Sequence, residues 1–381
     1  MSTDPVSLAA ELVRCPSVTP DEAGSLEILE RELAAAGFAC TRIDRNNVSN
    51  LFCRWGQAEA GRTFGFNGHI DVVPPGDDSL WSVKPFGGEF RRGKLYGRGA
   101  ADMKSGVAAF VAAAIDTVSA RPIRGSIAVL ITSDEEGPAI DGTRAILSWM
   151  EAHGERMDHC LVGEPTCLEQ FGERIKIGRR GSLTVRFTAR GVQGHSAYPE
   201  RAVNPVPAIA ALAVELSESP LDEGSKHFDP STLSLTTIDT GNPASNVIPA
   251  SCTAVANIRF NDVHTIESLV ALMQSHAERA TQLTGVDIEV ECDGSPTDWF
   301  LTPPGELSEL VASAVEAETG LRPEYATSGG TSDARFVRCH CPVVEFGLCG
   351  KTMHQADEFA EVDEIRRLKA VYERVLSDYF A

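Results

Sequence analysis

The chain has no uninterrupted apolar run of ~18 residues, the length a helix needs to cross a bilayer, so no membrane-spanning segment is expected. Its first residues, Met1-Ser2-Thr3-Asp4-Pro5, show neither the basic nor the apolar stretch of a secretory leader, and a cytoplasmic protein is expected. Among its 10 cysteines there is no Cys-x-x-Cys pair. They read as free, mostly buried thiols, the tight Cys339-His340-Cys341 cluster included. Basic residues are scarce: 34 Lys and Arg against 54 Asp and Glu leave a net charge of −20. Such a surface suits neither nucleic acid nor an anionic membrane. Gly97-Arg98-Gly99 lacks the third glycine of a dinucleotide fingerprint, and Asp102, at that spacing, would repel phosphate. No internal repeat, low-complexity tract or long linker is visible.

What is present is a set of acidic and imidazole residues placed at the ends of apolar runs. Thr63-Phe64-Gly65-Phe66-Asn67 leads into His69 and Asp71. Ile127-Ala128-Val129-Leu130-Ile131-Thr132 leads into Glu135 and Glu136, His159-Cys160-Leu161-Val162 into Glu164, and Val343-Val344-Glu345-Phe346-Gly347 towards His354. Asp102 follows Gly97-Arg98-Gly99-Ala100-Ala101. Runs of this kind bounded by Gly and Pro read as buried strands, and open α/β sheets bind their ligands beyond the carboxyl ends of their strands. Carboxylates combined with imidazoles suit zinc, with cobalt or manganese as alternatives. Asp102 can bridge two metals with its two oxygens, and two metals so bridged stand about 3.5–4 Å apart. His69, Glu136, Glu164 and His354 then supply terminal ligands. His69 and Asp71 share one face of an extended segment, so Asp71 is expected to accept the second ring N–H of His69. Glu135, beside Glu136, is left as general base for a bridging water.

The pattern changes once along the chain. Helix and strand signals alternate from Ser7 to about Gly178, with an Ala-rich helix over Met103–Ala120 and another helix through Trp149, for which Thr143 is a plausible cap. Leu183–Arg190 then alternates with period two, as a half-exposed strand does. A helix near Val203–Leu216, strands near Thr232–Asp239 and Cys252–Phe260, a helix over Thr265–Thr284 and a strand over Val286–Cys292 follow. That is the β-α-β-β-α-β order of a ferredoxin-like unit. Helices over Leu307–Thr319 and Glu364–Tyr379 close the chain. Because His354 must meet His69 and Asp102, residues 1–178 plus 294–381 are expected to form a discontinuous metal-binding α/β domain with a mixed sheet, and residues 179–293 an insertion.

These segments resemble the co-catalytic dizinc peptidases of the aminoacylase and carboxypeptidase type, from about Ser7 to the last helix. The closest stretches are Leu95–Lys104, Gly178-Arg179-Arg180-Gly181-Ser182, Gly194-His195-Ser196-Ala197-Tyr198-Pro199, Asn246-Val247-Ile248-Pro249 and Gly330-Thr331-Ser332-Asp333-Ala334-Arg335-Phe336. The resemblance implies two zinc ions per subunit, cobalt able to replace one or both, and hydrolysis of an N-acyl amino acid. It implies that the insertion serves as lid and dimer interface of a homodimer. His195 would reach the partner subunit's site and bind the oxyanion there, so each site is completed in trans. Tyr198 and Asn246 would accompany it, with Arg179, Ser182, Arg259, Gly330 and Thr331 as further substrate contacts, and the Asp102–Met103 peptide would be cis. The Gly178–Ser182 and Gly330–Asp333 stretches narrow the resemblance to members that act on N-succinyl-LL-2,6-diaminopimelate. That substrate carries three carboxylates, which the protein's net charge opposes, so arginines must supply local positive charge. Arg179 and Arg259 are the first candidates, with Arg180 and Arg335 behind them. Histidines 153, 159, 227, 264, 276 and 340 read as non-catalytic.

Two departures bear on specificity. Gly350 stands where an asparagine usually precedes the last ligand, with Lys351 beside it as a substitute carboxylate contact, and Ser245 replaces an asparagine before Asn246. The alternatives are a related amidohydrolase, such as an acetylornithine deacetylase or a dipeptidase, and a non-catalytic metal-binding protein.

Overall fold

Four apolar runs become neighbouring parallel strands in the computed structural model, which describes residues 3–57 and 61–381. Met1 and Ser2, part of the stretch read for a leader, lie outside them. In spatial order the four are Gly125–Thr132, Arg62–His69, His159–Val162 and Val343–Glu345. Gly125–Thr132 is buried at every position, and Arg62–His69 at every position after the first. This is the near-continuous apolar character of strands covered on both faces. Antiparallel Val48–Trp55 and Ala39–Arg45 extend one side, Arg174–Lys176 and Glu324–Ala326 the other, giving a mixed eight-stranded sheet.

The alanine-rich helix begins at Ser105, after a turn over Ala100–Lys104 in which Asp102 and Met103 leave helical geometry. The Asp102–Met103 peptide is cis. By length and composition Ala100–Ala120 could cross a membrane, because its alanines add up, but 72% of its most apolar window is buried. Phe110 of this helix stacks on Phe66 of the sheet at 4.0 Å, and Tyr372 of the last helix, Val362–Tyr379, closes on Phe110 at 5.6 Å. Glycine makes the close approach of helix and strand ends workable. A Cβ on Gly106 would lie 2.5 Å from the Gly163 carbonyl oxygen.

A second compact unit comprises Gly178–Leu301 with Thr327–Thr331, the first being Met1–Ile177, Thr302–Ala326 and Ser332–Ala381. Its antiparallel sheet runs Thr232–Asp239, Ser251–Phe260, Gly181–Arg190, Ile288–Thr297, with helices Val206–Glu218 and Ile266–Thr284. Leu183, Val185, Phe187, Ile258, Phe260 and Leu269 belong to its core. The β-α-β-β-α-β order is the one read from the sequence. The unit reaches past residue 293, because its last strand continues to Thr297 and Phe300–Leu301 pairs with Gly178–Arg179.

Two local expectations are corrected. Gly142, not Thr143, is the cap residue of helix Thr143–Ala152; the Thr143 hydroxyl instead accepts from Asn67 Nδ2 at 3.0 Å. Cys40 and Cys53 are disulfide-bonded, since they face each other in the register of Ala39–Arg45 and Val48–Trp55, and the other eight cysteines are thiols.

Candidate metal centre

The residues that sequence placed after the strands meet at one edge of the sheet. His69 is the last residue of its strand, Glu135 and Glu136 lie three and four residues past Thr132, and Glu164 two past Val162. Asp102 arrives from the turn at the head of the Ala-rich helix, and His354 from the loop after Val343–Glu345.

Asp102 is central. Its Oδ1 faces His69 Nε2 at 3.3 Å, and its Oδ2 faces His354 Nε2 at 3.4 Å. Glu164 Oε1 stands 3.8 Å from His69 Nε2, and Glu136 Oε1 is 2.8 Å from His354 Nε2. The donor atoms of His69, Asp102 and Glu136 all lie within 4.8 Å of one another, as do those of His69, Glu135 and Glu164. His69 Nε2 and Asp102 Oδ1 are buried and make no hydrogen bond to any protein atom. Buried polar atoms are almost always satisfied, so a facing pair of orphans is what a missing cation would leave. The donors fit a metal site in which Asp102 faces both histidines, with Glu164 near His69 and Glu136 near His354.

The electrostatics of the protein alone agree. Burial works against a charged His69, but the facing carboxylates of Asp102 and Asp71 outweigh it and raise its pKa well above the usual histidine value. Hydrogen bonds to Asp102 and Glu136 push His354 up to about 10. Burial alone would raise Asp102, yet the two histidines hold it below the usual carboxylate range. Glu135 moves the other way: desolvation, then the charges of Glu164, Asp333 and Glu136, raise it well above that range. A carboxyl whose pKa is raised above the usual range is better able to take a proton and hand it on.

Asp71 faces the His69 ring with its backbone carbonyl as well as its carboxylate. His69 Nδ1 pairs with the backbone carbonyl of Asp71 at 2.8 Å, while the Asp71 carboxylate stands 3.6 Å from it. That carboxylate accepts the amides of Glu135 at 3.3 Å and Glu136 at 3.1 Å. Ile70 continues the ladder by donating to the Thr132 carbonyl, and Asp71 stays on the His69 side, its backbone carbonyl nearer the ring than its carboxylate. Asp134 fixes the same loop from its other side by accepting the amides of Ala139, Ile140 and Asp141. Neither role had a sequence signal beyond the acidic run itself.

The remaining candidates lie in the second unit. His195 is exposed on the short strand pair with Val247–Ile248; its Nδ1 accepts the Ala197 amide at 3.1 Å and its ring stands 5.7 Å from that of Tyr198. The Asn246 carbonyl accepts the Ser196 amide. Ser182 and Arg259 are register partners, and Arg259 Nε donates to Asn257. Arg179 is buried and donates to the Gly330 carbonyl at 2.8 Å, next to Thr331. Burial, then the neighbouring Arg180 charge, depress the Arg259 pKa. Within the first unit, Arg335 lies over the Phe336 ring, and Lys351 pairs with Glu169 at 3.5 Å. The departing loop is tied down by Gly350 donating to the Cys167 carbonyl.

Comparison with known proteins gives the family and the fold. Residues 65–378 match the peptidase family M20/M25/M40. The chain is 65% identical over 381 residues to a succinyl-diaminopimelate desuccinylase of Cereibacter sphaeroides, covering 100% of both chains. It is 60% identical over 381 residues to one from Ruegeria pomeroyi, again covering 100% of both. A tripeptidase from Staphylococcus aureus has the same fold at 19% identity, with a TM-score of 0.80 and coverage of 98% of this chain and 97% of that one. A dinuclear metal binding peptidase of the M20 family from Bacillus subtilis does so at 15% identity, TM-score 0.73, covering 99% and 97%.

Proposed function

The chain belongs to the peptidase family M20/M25/M40, and from that premise we propose that it hydrolyses N-succinyl-LL-2,6-diaminopimelate to succinate and LL-2,6-diaminopimelate, a step towards lysine and cell-wall precursors. The metals in this reading are two zinc ions, with cobalt able to substitute, in a cytoplasmic homodimer. The observation that carries the hydrolysis is Asp102, whose two oxygens face His69 and His354 with Glu135 beside them. The acyl group is supported by the full-length identity to the desuccinylases.

Zinc, when bound, lowers the pKa of water and polarises an amide carbonyl. Glu135 accepts the proton of the attacking water, which its raised pKa suits, and returns it to the leaving amine. Asp71 holds the Glu135 and Glu136 amides, so the proton-transfer group keeps its place through turnover. His195 of the partner subunit donates to the developing oxyanion, as preorganised donors do. Tyr198, Asn246, Ser182, Gly330 and Thr331 line the substrate, and Arg179 and Arg259 meet its carboxylates. A substrate carboxylate would relieve the crowding of Arg259 by Arg180.

The test is paired steady-state kinetics on zinc-loaded protein with the succinyl substrate and with N-acetylornithine. A kcat/KM ratio of at least about 100 for the former, about 2.7 kcal/mol of discrimination, is expected. Preference for the acetyl substrate would move the chain to the broader amidohydrolases, with the Gly350-Lys351 loop as the structural difference to examine.

A further inference from the structure

Arg98, in the run that leads into Asp102, forms a buried ion pair with Glu358, which no candidate motif contains. Arg98 is 2% exposed and Glu358 0%, and Arg98 Nη1 meets Glu358 Oε2 at 2.6 Å. The other Glu358 oxygen accepts the amides of Ala101 at 2.9 Å and Asp102 at 3.2 Å. Ala101 and Asp102 stand at the head of their turn, where backbone amides have no partner within a helix, and Glu358 supplies it. The guanidinium reaches the other way. It donates to the carbonyls of Gln355 at 3.1 Å, His354 at 3.4 Å and Pro74 at 3.5 Å. His354 has φ +63° and Asp357 φ +55°, a left-handed conformation that non-glycine residues adopt at a cost. Arg98 thus gathers the carbonyls of a strained turn while its partner gathers the amides of an irregular one.

We infer that Arg98 and Glu358 are a positioning pair that sets the distance between Asp102 and His354, and through it the affinity of the metal position formed by Asp102, Glu136 and His354. This rests on the two-zinc reading above. The pair touches neither substrate nor metal; it acts through the backbone of two ligands. Its effect is asymmetric. His69 and Glu164 sit at strand ends that owe nothing to Arg98, so the position they form with Asp102 depends on the pair less. Only a planar fork with several donors can serve the carboxylate and three carbonyls at once, which an ammonium cannot do.

The test is zinc binding by Arg98→Lys, which keeps the buried positive charge opposite Glu358 but loses the fork. Metal-free protein is dialysed against buffers of fixed free zinc, and bound zinc is counted by mass spectrometry alongside thermal melting. Wild type is expected to take up two zinc ions per chain. Arg98→Lys should bind the first as wild type does and the second at least about tenfold more weakly, in the range seen when groups behind metal ligands are altered. Wild-type affinity at both positions, or equal weakening at both, would overturn the inference. Should Arg98→Lys fail to fold, Glu358→Gln, which keeps an acceptor for the two amides and loses the charge, is held to the same asymmetry. Uptake of fewer than two zinc ions by wild type would overturn the two-zinc reading itself.

Discussion

Replacing Asp71 by Asn separates two roles that its position beside His69 leaves entangled. The carboxylate is fully buried and accepts two backbone amides, from Glu135 at 3.3 Å and Glu136 at 3.1 Å. A hydrogen bond to a charged acceptor contributes about 1.5–3 kcal/mol, and a buried donor left unpaired costs about 1–3 kcal/mol. Asparagine keeps one acceptor and turns an N–H against the other amide, so the loop loses on the order of 2–4 kcal/mol of local stabilisation. The loop carries the proton-transfer carboxyl, and a misplacement of about 1 Å costs about 10²-fold in rate. Asp71→Asn should therefore lose about 10²-fold in kcat with KM little changed. Because the His69 ring is oriented by the Asp71 backbone carbonyl, which the substitution keeps, zinc at the His69 position should remain. The assay is steady-state kinetics on the succinyl substrate with zinc counted in the same sample. A kcat within about threefold of wild type, under about 0.7 kcal/mol in barrier, would refute the reasoning. So would loss of the first zinc with turnover per bound pair unchanged, which would return Asp71 to a clamp on the imidazole.

The same geometry sets further outcomes. Glu135→Gln should lose roughly 10²–10⁴-fold in turnover from the proton transfer alone, and His195→Ala about 10²–10³-fold from the lost oxyanion donor; mixing them should restore activity, since each mixed dimer has one site with both groups, and no recovery after confirmed subunit exchange would exclude completion in trans. Gly106→Ala places a methyl 2.5 Å from the Gly163 oxygen, with backbone on both sides. The overpacking cost of about 1–3 kcal/mol exceeds the helix-propensity gain of about 1 kcal/mol, so thermal melting should fall by a few degrees and zinc affinity with it; an unchanged melt would show that the helix can slide. Metal-free His354, with its pKa near 10, and His69, also raised, carry protons at pH 7. Zinc must displace them, so affinity should rise with pH towards 10 and uptake at pH 7 should release more than one proton. Calorimetry in buffers of different ionisation enthalpy measures this, and identical heats in all buffers would contradict it.

Candidate ligands His69, Glu136 and Glu164 were legible because they stand at or just past buried strands, and a strand announces itself in a few consecutive residues. The ferredoxin-like insertion was legible for the same reason, through the period-two alternation of Leu183–Arg190. What escaped depends on contacts between distant segments. Glu358 comes after the last ligand with no spacing pattern, and its partner Arg98 is 260 positions away. Cys40 and Cys53 are joined only once the hairpin register is known. The Asp71 carboxylate stands near the His69 ring as the spacing implied, but that its backbone carbonyl is the nearer acceptor shows only in the folded chain. Thr143 looked like a cap from its residue type, but its hydroxyl had a partner in the sheet.

The order of residues along the chain also has a consequence for its synthesis. Every strand of the second unit's main sheet lies between Gly181 and Thr297, so that unit can fold while the ribosome is still adding the C-terminal residues. The first unit cannot finish then. Its strand Val343–Glu345, His354 and the Glu358 carboxylate under Asp102 all come later. His69, Asp102, Glu135, Glu136 and Glu164 are therefore all made before His354 and Glu358, so a metal position that needs His354 is set late in synthesis, as a seal and not as a seed.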